Sequence, residues 1–201
     1  TFEKAYGGML RFAQGFVKKV LLSNTAAGLA NYVFDEAGAL YPDGRVPAIL
    51  AWAGVAAYAL QIYFDFSGYS DMAIGLGKIF GFDFLENFRH PYIARTLKEF
   101  WRRWHISLSG WFRDYVYIPL GGSRRGPART YINLFIVFLL TGLWHGASLN
   151  FVLWGLWHGL FLILERTPAL GWMERAPRPL QHVYTLFVVL VGWVLFRAAD
   201  L

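Results

Sequence analysis

Long uncharged stretches constrain this chain more than anything else in it. From Tyr131 to Trp144 there is no Asp, Glu, Lys or Arg, and the same holds for Ala48 to Phe64, Asn150 to Leu164 and His182 to Phe196. In lipid, each backbone N–H and C=O must find its partner within the protein, and an α-helix does this locally. Composition agrees, at 56% hydrophobic and 16% charged residues, where a soluble domain carries about 45–50% and about 25%. The expected class is all-α: a multi-pass transmembrane helical bundle with short re-entrant and interfacial helices. The 19 basic residues against 13 acidic ones would suggest nucleic acid in a soluble protein. Here the basic groups lie between apolar runs, so the expected partner is the lipid bilayer and no nucleic acid.

The chain opens at Thr1 without an initiator Met or a secretory pattern, and it stops just past an apolar run. It is therefore expected to be one domain fragment, 1–201, of a longer protein. Within it, 1–45 reads as an amphipathic and early helical segment. Residues 46–94 read as membrane helices, 95–130 as a cytoplasmic interfacial segment and 131–201 as further membrane helices. Tyr6 to Leu22 places Met9, Phe12, Ala13, Phe16, Val17 and Val20 at helical spacing. Ser23 or Asn24 is expected to cap a second helix, and 35–47 reads as a loop. Ala48 to Phe64 approaches the roughly 20 residues of a span only if its polar end is included. Asp65 and Asp71 would then lie near or inside the hydrocarbon, where a carboxylate is costly. Asp71 could instead cap a separate short helix from Met72 to Phe82, or serve as an ion-pair partner.

Between Arg95 and Arg129 there are eight basic residues, opposed only by Glu99 and Asp114. Aromatic residues alternate with them, as expected at the headgroup level of the cytoplasmic face. The turn Gly121-Gly122-Ser123-Arg124-Arg125-Gly126 lacks the spacing of a phosphate-binding loop and reads as a basic turn. From Tyr131 to His145 a helix rises roughly 21 Å, short of a roughly 30 Å core. With Gly146 as a turn and Asn150 to Glu165 returning, the pattern suggests a re-entrant hairpin that carries His145 to depth.

No cysteine is present, so thiolate chemistry and zinc–sulfur sites are excluded within this chain. No clustered histidine pattern suggests a metal, and none is expected. A buried histidine, with a reference pKa of about 6.5, can act as a general base near neutral pH. The simplest chemistry is removal of a hydroxyl proton as the oxygen attacks an activated acyl group. The basic loops would attract an anionic donor such as a coenzyme A thioester. Each histidine also has a structural reading: His145 as a turn residue, His158 as a helix-packing contact, His105 as a partner of a backbone carbonyl, and His90 and His182 as structural groups.

Three motifs carry a family resemblance: Phe100-Trp101-Arg102-Arg103-Trp104-His105-Ile106-Ser107-Leu108-Ser109, Trp111-Phe112-Arg113-Asp114-Tyr115, and Leu143-Trp144-His145-Gly146-Ala147. Together they resemble the membrane-bound O-acyltransferase family. Tyr63 to Gly75 is similar to its bacterial branch that acetylates alginate, with teichoic-acid D-alanyl transfer a more distant likeness. The resemblance implies a funnel of helices with the catalytic histidine, matched by His145, near its narrow point, and a second recurring polar position matched by His105. It implies a multi-pass protein of the bacterial inner membrane that moves acetyl groups from a cytoplasmic donor such as acetyl-coenzyme A to a polysaccharide outside, with periplasmic acetyltransferase partners and no bound cofactor. Asp65, Trp101, Arg102, Arg103, Trp104 and Trp144 are the candidate substrate contacts. The alternatives are D-alanyl or other acyl transfer, or a non-enzymatic transporter lined by Asp65, His145 and His158.

Overall fold

In the computed structural model, residues 1–41 and 45–198 are described, so part of the expected 35–47 loop lies outside the described residues. The chain divides into two compact units, Thr1–Asn87 and Phe88–Leu201.

The first unit is an antiparallel pair of long helical courses. Helix α1, Phe2–Val17, is capped by the Thr1 hydroxyl, which accepts from the Lys4 N–H. It continues without a break through a π-helical turn at Lys18–Ser23 into α2, Asn24–Asn31, then through Tyr32–Glu36 to α3, Ala37–Leu40. The expected cap at Ser23 or Asn24 is therefore absent. Ser23 has helical dihedrals, and its hydroxyl donates across to the carbonyl of Gln61 at 3.2 Å. Residues 35–40, expected in a loop, are helical.

The second course is one helix, α4, Ala48–Ile79. The expected break before Met72 does not occur. Asp71 sits in mid-helix with its side chain buried, and it is neutralised rather than used as a cap. One carboxylate oxygen accepts from the Arg11 guanidinium at 2.7 and 3.0 Å, and the other from Lys18 Nζ at 2.6 Å. Arg11 also reaches Glu86 at 2.5 Å. Asp65, nearer the surface, pairs with Lys19. At 32 residues α4 is about 48 Å long, well beyond a roughly 30 Å hydrocarbon core. Both acids, Asp65 and Asp71, take up the ion-pair role that was the alternative to a place in the hydrocarbon.

The two courses approach to backbone distance. A Cβ on Gly8 would stand 2.6 Å from the Gly75 carbonyl oxygen, and one on Gly68 would stand 2.7 Å from that of Gly15. Small residues at such crossings let helices pack closely where lipid offers no hydrophobic drive between them.

The second unit begins with short helices α5, Leu97–Arg103, and α6, Ile106–Phe112, followed by a π-helical turn at Arg113–Tyr117. The Thr96 hydroxyl caps α5 by accepting from the Glu99 N–H at 3.1 Å. The Glu165 carboxylate accepts from the Leu97 N–H at 2.8 Å. Three longer helices follow: α7, Pro127–His145; α8, Leu149–Leu164; and α10, Arg178–Arg197. The last is reached through α9, Pro168–Gly171, and a short 3-10 turn at Trp172–Arg175. Helices α7 and α8 form the expected hairpin around Gly146. A Cβ on Gly142 would come within 2.5 Å of the Phe151 carbonyl oxygen, and Gly155 lies equally tight on Phe138. Helix α10 runs antiparallel to α8. The Trp157 indole donates to the Val188 carbonyl at 2.8 Å, and the Asn150 amide donates to that of Ala198 at 3.1 Å.

Helix α7 starts four residues earlier than the apolar run suggested, because Gly126, at φ 84°, turns the chain into Pro127 at the first helical position. The rise to His145 is then about 27 Å, longer than the roughly 21 Å expected from Tyr131. Helices α4, α7 and α10 are each long and apolar enough to cross a membrane.

Two substitutions separate the ion pairs. Arg11→Met leaves the buried Asp71 with one cation, and is expected to lower stability by up to about 3 kcal/mol. Lys19→Met removes an exposed pair and should cost about 1 kcal/mol or less. Thermal unfolding of the full-length protein in detergent compares them.

Candidate active site

The break between α5 and α6 places the first imidazole. His105 adopts a left-handed conformation, φ 46°, uncommon for a residue with a side chain. This reversal ends α5 at Trp104, starts α6 at Ile106, and holds the ring partly buried. The His105 ring lies 6.4 Å from that of Trp144, and its Nδ1 is 3.5 Å from the Ser107 hydroxyl. Burial, and secondarily the nearby His145 imidazole, push the His105 pKa from its usual 6.5 down to about 4.

The second imidazole ends α7. The His145 ring meets Trp154 edge-on at 5.0 Å, Phe196 at 5.1 Å and the neighbouring Trp144 at 4.9 Å. It is half-buried, and Trp144 beside it is 59% exposed. Two neutral-capable imidazoles and an open indole thus share the loop end of the α7–α8 hairpin. An imidazole with an aromatic wall on one side and an open side on the other is placed to exchange a proton with a bound hydroxyl.

The candidate contacts divide sharply. His105, Trp144 and His145 are brought together. Trp101 is one ring further in, packed on Trp154 at 5.7 Å and on His158 at 5.0 Å. Trp104 is enclosed, stacked on Phe100 at 5.6 Å and against Trp193 at 4.8 Å, which is a packing position. Arg103 is held by Glu99 at 2.7 Å and donates to the Arg89 carbonyl at 3.1 Å, while Arg102 is exposed. Asp65 belongs to the first unit and is paired with Lys19. The basic turn, Gly121 to Gly126, borders an open recess of about 300 Å³ lined by Ser123, Thr130, Tyr131 and Arg166. His182 directs Nδ1 to the Ala94 carbonyl at 3.2 Å, and His90 takes a left-handed turn before Pro91. His158 is a fully buried packing group on α8.

Sequence reasoning missed Trp154, Trp193 and Phe196, which form the wall behind the histidines. A signal was available, since Trp154 precedes His158 by one helical turn and so shares its face.

The chain belongs to the membrane-bound O-acyltransferase family, whose model matches residues 7–196. It is 51% identical over its whole length to the protein named "Probable alginate O-acetylase AlgI" of Pseudomonas aeruginosa, and 50% identical to that of Pseudomonas fluorescens, covering 37% and 39% of them. It is also 41% identical over 197 residues to the peptidoglycan O-acetyltransferase of Helicobacter pylori, across 96% of this chain and 36% of that one. The chain thus spans well under half the length of these relatives.

Depressing the His105 pKa couples the fold to acid. Between pH 6.5 and 4 the unfolded chain takes up a proton at this site that the folded one resists, so stability present above 6.5 is lost as pH falls toward 4. Melting temperatures measured across that range should decline in the parent protein and decline less in His105→Gln.

Proposed function

We propose that the full-length protein is a membrane O-acyltransferase that acetylates a cell-envelope polysaccharide of the alginate type, with His145 as its general base. The observation that carries this reading is the setting of His145 at the end of a span, walled by Trp154 and Phe196 and open beside Trp144. The near-50% identity to alginate O-acetylases over the whole chain supports acetyl as the cargo and a polysaccharide hydroxyl as the acceptor. Membership in an acyltransferase family argues against the transporter alternative.

In this mechanism an acetyl thioester, with acetyl-coenzyme A as the candidate donor, approaches from the cytoplasmic side. The acceptor hydroxyl gives its proton to His145 as its oxygen attacks the thioester carbonyl. The C–O bond forms, the C–S bond breaks, and the departing thiolate takes the proton back from the imidazole. His105, kept neutral by its surroundings, is available to hydrogen-bond the reacting groups without introducing a competing charge. Trp144 shapes the passage, with Trp101 packed one ring behind it. The basic residues between Arg95 and Arg129 draw in the anionic donor. The bacterial inner membrane is the proposed setting, and periplasmic acetyltransferases would complete delivery to the polymer where the first acceptor hydroxyl belongs to a carrier.

His145→Ala is expected to abolish polymer acetylation in cells, at least a hundredfold if the imidazole is the base, while membrane protein levels stay at those of the parent. Acetyl content of the isolated polymer and an immunoblot of the membrane fraction measure the two. Normal acetylation in this variant would remove His145 from the mechanism.

A further inference from the structure

Behind the two site histidines lies a third imidazole whose nitrogens find no protein partner. His158 is 0% exposed, and both its Nδ1 and its Nε2 lack a hydrogen bond. Two indole nitrogens in contact with it are in the same condition, Trp101 Nε1 and Trp154 Nε1. The three rings touch one another pairwise. Trp101 and His158 stand 5.0 Å apart at 89°, Trp154 and His158 5.2 Å at 70°, and Trp101 and Trp154 5.7 Å at 80°. Helix α10 closes the Nε2 side, because Gly192 lets the imidazole come so near that a Cβ there would meet Nε2 first and Cε1 at 2.9 Å, which leaves Nδ1 as the nitrogen open to a ligand.

Buried polar groups are almost always paired, and a cluster of orphans demands an explanation. These atoms are already covered by this chain, so parts of the protein outside residues 1–201 cannot reach them without displacing it. The chemistry of the set selects the ligand. Each indole offers one N–H, and a neutral imidazole offers one N–H and one lone pair. A ligand that accepts from two indoles and donates to the imidazole lone pair partners three of the four nitrogens. Water does both, whereas a carbonyl oxygen leaves the lone pair bare. An enclosed aromatic cage also favours the smallest oxygen ligand, and internal waters typically make about three such bonds.

We infer that Trp101, Trp154 and His158 form a binding site for one resident water molecule in the core of the second unit. Trp154 stands between this site and His145, so the water fixes the ring against which the His145 imidazole rests.

The site is read without turnover, so it stands or falls separately from the acyltransferase mechanism. In the full-length protein, ¹⁵N-labelled on tryptophan and held in lipid nanodiscs without acyl donor, proton-detected NMR measures magnetisation transfer from water to each indole N–H. Trp101→Phe and Trp154→Phe assign the two signals. Transfer from a long-lived water to both indoles is expected, kept in His158→Asn and lost in His158→Phe. Absence of transfer at both indoles in the parent protein, with the upfield shifts of N–H groups directed at ring faces, would overturn the inference. So would a hydrogen-bonded indole signal that arises only when acetyl-coenzyme A is added, because the ligand would then be an acyl oxygen. The parent spectrum decides the matter even if His158→Phe fails to fold.

Discussion

The second unit depends on the burial of one indole. Trp154, 1% exposed, touches Trp101, His145, His158, Trp193 and Phe196, residues from four different helices. The contact with Trp193 is stacked and the other four are edge-to-face, and aromatic pairs of these kinds contribute about 0.5–1.5 kcal/mol each beyond the area they cover. In lipid, where apolar surface is no worse placed outside the bundle than inside it, such directional contacts matter more than hydrophobic burial. The α7–α8 hairpin can bring Trp154 to this position only because Gly142 and Gly155 let the two backbones meet. Close helix packing therefore comes first, the aromatic wall follows from it, and the orientation of His145 follows from the wall.

Much of this was legible in the sequence for a simple reason. A membrane helix announces itself by the absence of charge, so the spans around Ala48, Tyr131 and His182 and the hairpin at Gly146 could be read directly. Helix ends were less legible. The continuity of α4 through Asp71 was hidden because a carboxylate normally marks an end, and its neutralising partners Arg11 and Lys18 are 60 and 53 residues away in the chain. The early start of α7 was hidden because Arg129 and Thr130 look like a loop until Gly126 and Pro127 are seen to set the first turn.

The site was legible in its histidines and less so in their surroundings. His105, Trp144 and His145 are close in space as the motifs implied. Trp104 and Arg103, adjacent in the same motif, have other tasks, since the chain reverses at His105 and sends neighbouring side chains in different directions. Spacing along the sequence cannot carry that information. Trp193 joins the cluster from some 90 positions beyond Trp101 and Trp104, and no local pattern points to it.

The antiparallel arrangement of the first unit has a temporal consequence. Gly8 meets Gly75 and Arg11 meets Asp71, so α1 cannot complete its packing on α4 until the far end of α4 has been made. At roughly 5–20 residues per second, the ribosome needs several seconds to add the intervening chain. During that interval the amphipathic α1 can rest on the bilayer surface, with Lys18 and Lys19 toward the headgroups. When the Asp71 carboxylate emerges, both of its counter-charges have already been synthesised, and the nascent helix can be neutralised as it enters the membrane.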